Sequence, residues 1–254
     1  MIVAVYGKAI AFAADVYKKF FKSKKSGADF EISIDETLTP TTPAQHYFVA
    51  RELTDLGVTF ATMAPRFCGE FQKGVDYIGD LKQFEQEIKT HAVIARHFKY
   101  KLSIHSGSDK FSVFPFISKA TKTCFHVKTA GTNWLEAMRV VAAADPALYR
   151  EIHKYALSAF DEARKYYHVT TDLKKIPNVD KLSDKELQEL FTQNDSRQLI
   201  HITYGLILSK KNDDGSFAYR DRLYKLWQEH DEEYAKALVE HIGKHLTLLG
   251  VKKN

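Results

Sequence analysis

A chain of 254 residues, 44% apolar and 27% charged, is long enough to bury a large core, either as one α/β barrel or as two small domains. No stretch approaches the ~18 uncharged apolar residues of a membrane span, so we expect no membrane protein. The net charge of +5 is spread over helical faces and forms no basic groove interleaved with aromatic residues, which argues against a nucleic-acid partner.

Short apolar runs alternate with longer amphipathic stretches, which predicts a parallel β/α architecture. The predicted strands, in chain order, are a weak one at Ile2–Tyr6 and then Phe30–Asp35, Val58–Met63, Leu102–His105, Phe125–Lys128, His168–Thr171 and Leu199–Thr203. The predicted helices are Ala44–Leu56, Leu81–His97, Asn133–Ala143, Pro146–Tyr166, Asp180–Gln193 and a helical pair over Arg220–Leu249. No repeat or long linker interrupts this pattern, so residues 1–254 are interpreted as a single domain.

The predicted strands number six or seven, fewer than the eight of a closed (β/α)₈ barrel. Either one strand escapes the pattern or the chain begins after the barrel does. We expect the second, a TIM-type (β/α) barrel that is incomplete and lacks N-terminal strand–helix units. In such barrels the site is built at the C-terminal strand ends and in the loops that follow, and the polar and glycine residues of this chain lie there.

Three of the predicted strands carry a histidine between apolar neighbours and then enter a polar turn: KLSIHSGSDK, CFHVKTAGTNW and RQLIHITYG. Because successive side chains of a strand point to opposite faces, His105, His126 and His201 are expected to face the barrel axis. The same alternation places Leu102 and Ile104 against the helices.

The stretch FEISIDET follows the same rule. Ile32 and Ile34 are expected to face the helices, which leaves Glu31, Ser33 and Asp35 on the axis side. Glu36 then lies at the rim of the barrel.

Imidazoles and a carboxylate that converge on one axis suit a divalent transition metal such as Zn, Mn, Ni or Fe. We expect Asp35, His105 and His201 to hold this metal, with His126 as a fourth ligand or a substrate contact. Any one of these histidines alone is more often a hydrogen-bonded core or rim residue, and only their repetition at strand ends favours a metal. His168 is a weaker candidate.

The loops after the strands supply further charges. APRFCGEF carries Arg66 and Glu70, and SGSDK carries Asp109 and Lys110. Arg66, Lys110 and Lys128 are candidates to pair with a substrate carboxylate, Arg most specifically because its guanidinium fork is bidentate. The alternative for each lysine is a plain surface charge.

Several blocks in order resemble the tagaturonate/fructuronate epimerase family of hexuronate catabolism. They are FEISIDETLTPTTPAQHYFVARELTDLGVTF, APRFCGEFQKGVDYIGDL, KLSIHSGSDKFSVFP, FHVKTAGTNWLEA and RQLIHITYG. The resemblance runs from about residue 30 to about residue 250. It implies a metal-dependent, barrel-type epimerase that inverts C4 of a 2-keto hexuronate, a small sugar acid. It also implies that this chain is the C-terminal portion of a longer protein, whose N-terminal portion is encoded upstream or replaced by self-association.

The implied chemistry has a simple logic. C4 is β to the ketone, so removing its proton would leave a carbanion with no enolate to stabilise it. A retro-aldol cleavage of C3–C4 instead gives an enediolate, which a divalent metal can stabilise. Besides the metal ligands, this reaction needs a base for the C4 hydroxyl, for which Glu36, Asp109 and Glu70 are candidates, and a cation for the carboxylate.

Two other classes of function remain open. A class II aldolase or a ketose isomerase acting on sugar acids would share the enediolate chemistry. A truncated barrel could instead be a noncatalytic sugar-acid-binding or assembly module. The two cysteines, Cys68 and Cys124, form no CxxC motif. The N-terminal stretch MIVAVYGKAIAF lacks a basic lead and a cleavage pattern, so we expect no secretory signal and a cytoplasmic protein.

Overall fold

A computed structural model describes residues 2–23 and 27–251 of the chain. Its strands are β1 (Glu31–Ile34), β2 (Thr62–Pro65), β3 (Lys101–Ile104) and β4 (Phe125–Val127), and they form one parallel sheet in the order β1-β2-β3-β4. Its α-helices are α1 (Ile2–Phe20), α2 (Pro43–Asp55), α3 (Leu81–His97), α4 (Phe114–Thr121), α5 (Ala130–Ala144), α6 (Pro146–Ala163), α7 (Asn194–Ile202), α8 (Tyr204–Ser209), α9 (Arg220–Glu229) and α10 (Asp231–Leu248). The α/β class predicted from the sequence is confirmed.

The four strands correspond to predicted strands, but β2 begins later than expected. The chain leaves α2 through Gly57, whose φ of 74° favours glycine, and Ala61 makes the first backbone hydrogen bonds toward the neighbouring strands, to the Phe30 carbonyl and from the Lys101 N–H. The parallel register places Ile32 beside Met63 and Leu102 beside Phe125. The strand ends therefore lie along a common edge of the sheet.

The two faces of this sheet differ in chemistry, as the alternation predicts. Ile32, Ile34, Leu102 and Ile104 are buried in an apolar cluster with residues of α1 to α4, so their expected orientation toward the helices is confirmed. The opposite face carries the polar side chains that the candidate site uses.

Local signals explain where the main helices begin. Thr42 and Gln45 form a capping box ahead of Pro43 at the start of α2, and the Asp80 carboxylate accepts hydrogen bonds from the first backbone N–H groups of α3. The Asp145 carboxylate accepts a hydrogen bond from the Leu148 backbone N–H at the start of α6, whose first residue is Pro146.

The second half of the chain is helical, and three predicted strands are wrong. Leu199–Thr203 lies in α7 and its C-cap, Ile2–Tyr6 lies in α1, and His168–Thr171 is an irregular segment. The strand prediction failed in α7 because residues 196–202 are all buried. A short helix without a polar face has no hydrophobic periodicity that distinguishes it from a buried strand. Asp180–Gln193, predicted as a helix, contains two short 3₁₀ turns, Val179–Lys181 and Glu186–Phe191.

Helices α5 to α9 bury a second apolar cluster that includes Leu135, Tyr149, Phe160 and Leu199. Helix α10 contacts both α5 and α4, so it links this helical layer to the helices behind the sheet. Among the described residues, no helix is both long enough and apolar enough to cross a membrane.

Candidate active site

A cavity of about 230 Å³, here called the strand-end cavity, opens where the strands end. Its walls come from the loops after β1, β3 and β4, from the segment after β2, and from helices α5 and α7. The lining residues are Asp35, Glu36, Lys73, His105, Ser106, Ser108, Lys128, Gly131 and His201. A wider cavity of about 570 Å³ adjoins it and adds Arg66, Glu70 and His168. The location predicted for the site, at the C-terminal strand ends, thus coincides with these cavities.

Glu31 is the centre of the polar face of the sheet. Its Oε1 lies 2.9 Å from His105 Nε2 and 2.5 Å from Lys128 Nζ, and its Oε2 lies 3.1 Å from His126 Nδ1. Thr62 and Ser103 also donate hydrogen bonds to Oε2. Burial by itself would raise the pKa of Glu31, but the hydrogen bonds from Lys128, Thr62, His105 and Ser103 outweigh it and lower the pKa to about 2.

His105 lies between two carboxylates. Its Nδ1 is 3.0 Å from Asp35 Oδ2, and its Nε2 is the nitrogen that meets Glu31. Burial opposes the charged imidazole, but the two carboxylates overcome this and raise the pKa of His105, while the same pairing lowers the pKa of Asp35 against its own burial. Each ring nitrogen of His105 thus faces one carboxylate oxygen.

His201 reaches the strand-end cavity from α7, not from a strand. Gln193 caps this helix through a hydrogen bond of 2.6 Å from the Ser196 backbone N–H. The histidine side chain is buried, and its Nδ1 has no hydrogen-bond partner among the described residues. Burial, with a smaller contribution from the charge of Lys73, lowers the pKa of His201 to about 4, so the ring is neutral at pH 7.

Three of the four residues predicted to hold a metal line one cavity, but their ligand atoms do not meet at one point. Asp35, His105 and His201 all face the strand-end cavity, and carboxylate and imidazole are suitable ligands for the predicted metals. The buried Nδ1 of His201 has no hydrogen-bond partner in the described residues, which is consistent with a position that binds a ligand. In the described part of the chain, however, their ligand atoms are not all within 4.8 Å of one another, and His126 contacts Glu31 and Ser103 instead.

One group within the described residues does meet that distance, namely Asp109, His241 and His245. Its donor atoms are engaged by the protein itself. Asp109 Oδ1 lies 2.5 Å from His241 Nε2, its Oδ2 accepts a 2.8 Å bond from Arg197, and its backbone N–H donates to His245 Nε2 at 3.0 Å. These contacts tie α10 and α7 to the loop after β3, which is a sufficient structural reason for the cluster.

Asp109 therefore lies in the interior and does not line the strand-end cavity. Burial would raise its pKa, but the hydrogen bond from His241 and the charge of Arg197 hold the pKa far below the usual range. A carboxylate that binds protons this weakly is a poor base. Of the predicted bases, Glu36 lines both cavities and Glu70 lines the wider one.

Lys110 is fully buried, and its ammonium donates to three backbone carbonyls, those of Gln72 at 2.8 Å, Val75 at 2.6 Å and Ser108 at 3.0 Å. Burial lowers its pKa to about 8. A substrate carboxylate would have to displace one of these carbonyls to reach it, so the geometry gives Lys110 a positioning role.

Arg66 and Lys128 are the two other predicted carboxylate ligands. Arg66 lines the wider cavity and donates a hydrogen bond to the Thr37 carbonyl. Lys128 lines the strand-end cavity but is paired with Glu31. Glu70 accepts hydrogen bonds from Gln72 at 2.6 Å and from His168 at 3.0 Å, the first of which is the main cause of its lowered pKa.

An α/β sheet whose strand ends present carboxylates, imidazoles and ammonium groups to a cavity has the layout of an enzyme. The family model for tagaturonate epimerase matches residues 1–249 of the chain. The chain belongs to the tagaturonate epimerase family.

Curated and solved relatives agree with this assignment. The tagaturonate/fructuronate epimerase of Thermotoga maritima is 48% identical over 246 residues, which are 96% of this chain and 50% of the relative. A glycerol-complexed crystal structure of the fructuronate-tagaturonate epimerase of Cohnella laeviribosi matches this chain with a TM-score of 0.97 at 57% identity. The match covers 99% of this chain and 51% of the Cohnella laeviribosi chain. The native crystal structure of the same enzyme has a TM-score of 0.97 at 56% identity. The chain thus spans about half the length of the relatives it matches.

Proposed function

We propose that the chain takes part in interconverting D-tagaturonate and D-fructuronate by inverting C4. The observation that carries this proposal is the coincidence of family membership with a cavity at the strand ends that gathers acids, imidazoles and cations. An epimerase of a 2-keto sugar acid needs these three kinds of group. The proposal includes a cytoplasmic location for the protein.

The reaction that fits this cavity is a retro-aldol cleavage followed by re-addition. A carboxylate, Glu36 in the strand-end cavity or Glu70 in the wider one, removes the proton of the C4 hydroxyl. The C3–C4 bond then breaks, C4 becomes an aldehyde, and the bonding electrons pass into an enediolate over C2 and C3. The aldehyde rotates, the enediolate attacks its other face, and the carboxylate returns the proton to the new C4 hydroxyl.

A divalent metal, when bound, would supply a Lewis acid that stabilises negative charge on neighbouring sugar oxygens. The residues proposed to hold it are Asp35, His105 and His201, with His126 as a further ligand or a substrate contact. Their donor atoms fit Zn, Mn, Ni or Fe, and the Nδ1 of His201 is unpartnered in the described residues. Arg66 and Lys128 are proposed to hold the substrate carboxylate, Arg66 through its fork.

We further propose that the sheet is part of a TIM-type barrel, which is completed either by an upstream-encoded portion that supplies the remaining half of the relatives' length or by association with another copy of the chain. Two observations support this. The chain covers 51% of the Cohnella laeviribosi enzyme, and the described strands leave β1 and β4 at the two ends of the sheet order. Open edges of this kind are covered in most natural proteins.

The central experiment follows turnover and metal content together. The purified chain, alone and with the remaining half supplied as a second polypeptide, is dialysed against a chelator and then loaded with Zn, Mn, Ni or Fe. Proton NMR should show D-fructuronate and D-tagaturonate interconverting in at least one loaded sample and not after chelation. Absence of both metal and turnover in every sample would favour a noncatalytic module.

Deuterated water tests the mechanism separately. A retro-aldol route never breaks the C4–H bond, so the product should retain protium at C4. Deuterium at C4 would instead show proton abstraction there. Accumulated three-carbon fragments would favour an aldolase, and exchange confined to C1 and C2 would favour a ketose isomerase.

A further inference from the structure

Lys73 lines both cavities, although nothing in the surrounding letters EFQKGVD singles it out as a site residue. It lies in the segment after β2, is half-buried, and donates a hydrogen bond of 3.0 Å from its ammonium to Ser106 Oγ. Among the described residues, no carboxylate oxygen lies within 4.0 Å of its Nζ. It is therefore a cation of the strand-end cavity that the protein does not itself neutralise by contact.

The other candidate cations are occupied. The ammonium of Lys128 is paired with Glu31 at 2.5 Å, and that of Lys110 is used by three backbone carbonyls. The guanidinium of Arg66 donates to the Thr37 carbonyl from the wider cavity. An anion that enters the strand-end cavity thus meets Lys73 as its most available partner.

Each backbone carbonyl of residues 72–75 accepts a hydrogen bond from a buried side chain. Lys110 binds the carbonyls of residues 72 and 75, Gln198 binds that of residue 73 at 3.2 Å, and Arg197 binds that of residue 74 at 2.7 Å. Gly74, with φ of 75°, allows the tight turn that aims these carbonyls at buried donors. Four consecutive carbonyls held by buried side chains make a rigid platform for one lysine, which is the kind of support that a binding group requires.

We propose that Lys73 is a further substrate-binding residue, whose ammonium pairs with the carboxylate of a sugar acid in addition to the contacts proposed for Arg66 and Lys128, and that Ser106 orients it. The inference rests on the proposed function only in taking a hexuronate as the ligand. Burial is the main cause that lowers the pKa of Lys73, against the nearby charges of Glu36 and Asp35. An arriving carboxylate would restore the stabilisation that burial removes.

The test compares binding of matched charged and neutral sugars to the full chain. Titration calorimetry or ligand-observed NMR would measure D-fructuronate and D-tagaturonate against D-fructose and D-tagatose, which lack the carboxylate. In Lys73→Met, we expect uronate affinity to fall about tenfold or more, because a hydrogen bond to a charged group is lost, and ketose affinity to change less than about twofold. Lys73→Arg should retain uronate binding within a few-fold, and Lys119→Met, which removes an exposed lysine of α4, should change neither.

Competitive labelling of the unaltered chain gives a readout that does not depend on a folded variant. With limiting acetylating reagent, D-fructuronate should protect Lys73 from acetylation and D-fructose should not. Equal effects of Lys73→Met on uronates and ketoses, or no protection, would overturn the inference. A sugar adduct on Lys73 that is trapped by borohydride reduction would also overturn it, by showing that the lysine forms an imine with the ketone.

The outcomes separate this inference from the proposed function. Uronate binding that depends on Lys73 without turnover under any metal would leave the lysine assignment intact and remove the epimerase chemistry. Turnover with uronate binding that ignores Lys73→Met would do the reverse. No uronate binding by the unaltered chain would count against both.

Discussion

The sheet region, residues 2–23 and 27–128, and the helical region, residues 130–251, place their polar side chains in different ways. In the sheet region, Asp35, His105 and Lys128 stand at strand ends and face a cavity. In the helical region, Arg197 and Gln198 are buried, and their side chains reach across to the backbone of the segment after β2. Gly131 and His201 are the residues of the helical region that line the strand-end cavity.

This difference indicates a division of labour. The sheet region supplies groups that can touch a substrate, and the helical region supplies buried donors that hold the cavity loops in one conformation. Arg197 illustrates the second role, since its guanidinium joins the Gly74 carbonyl, the Phe191 carbonyl and the Asp109 carboxylate. Rigid supporting contacts of this kind are what keep a site within the tolerance that catalysis requires.

The largest expected effect comes from removing this support. Arg197→Met leaves the Asp109 carboxylate buried with only part of its compensation, and loss of one partner of a buried pair costs about 3–5 kcal/mol. Urea unfolding should show this loss. Arg222→Met is the matched control, because the Arg222–Glu151 pair is about half exposed and should contribute at most about 1 kcal/mol. Equal losses in the two variants would mean that the network is not structural.

The same contrast explains which elements the sequence could predict. In the sheet region, β1, β3 and β4 alternate apolar and polar residues because one face packs on helices and the other is polar, so pattern and structure agree. In α7 both sides are buried against other helices and loops, and the letters LIHIT carry no periodicity that separates helix from strand. Tertiary burial, which a local pattern does not encode, decided that element.

A smaller effect should follow from disturbing the contact between Gly131 and His201, where the helical region lines the strand-end cavity. A Cβ on Gly131 would lie 2.2 Å from His201 Cε1, so Gly131→Ala must displace the His201 ring at an overpacking cost of about 1–3 kcal/mol. The control is Gly205→Ala in α8, where no atom lies within 4 Å of the added methyl group. Unfolding measurements should show a loss in the first variant and a neutral or slightly stabilising change in the second. Similar stabilities would show that His201 has room to move.

The sequence predicted the site residues on the strands better than those in the loops. Alternation placed Asp35 and His105 on the polar face, and the structure joins them in a hydrogen bond. It also placed Glu31 there, but the number of partners that this carboxylate collects depends on neighbouring strands and is not visible in FEISIDET. Asp109 and Lys110 were singled out as loop charges, although both are buried by contacts with distant segments. The sequence shows that a loop residue is charged, but it does not show whether the side chain contacts solvent, substrate or the backbone of a distant segment.

The last comparison concerns buried histidines, which both regions contain, and the smallest expected effect is the one at His153. Burial lowers the pKa of His153 in α6 to about 4 and that of His46 in α2 to about 3, the latter with a further contribution from His91. Because the unfolded imidazole has a pKa near 6.5, each folded ring binds fewer protons than the unfolded one below that pH. Stability is therefore fully present above about pH 6.5 and is lost as the pH falls toward the folded value, by at most about 1.4 kcal/mol per pH unit for each ring.

The two histidines should nevertheless respond differently to replacement. His46 is hydrogen-bonded at both nitrogens, to His91 at 2.8 Å and to Tyr100 at 2.5 Å, whereas His153 has only a 3.4 Å contact with Tyr149, and its Nε2 is unpartnered in the described residues. At pH 7.5, His46→Leu should cost about 1–3 kcal/mol by leaving buried partners unpaired, and His153→Leu should cost less than about 1 kcal/mol. At pH 5.5, His153→Leu should have recovered about 1 kcal/mol relative to the unaltered chain, because one acid-sensitive ring is gone. Urea unfolding at the two pH values measures both differences, and an acid loss unchanged by His153→Leu would show that this ring is protonated in the folded protein.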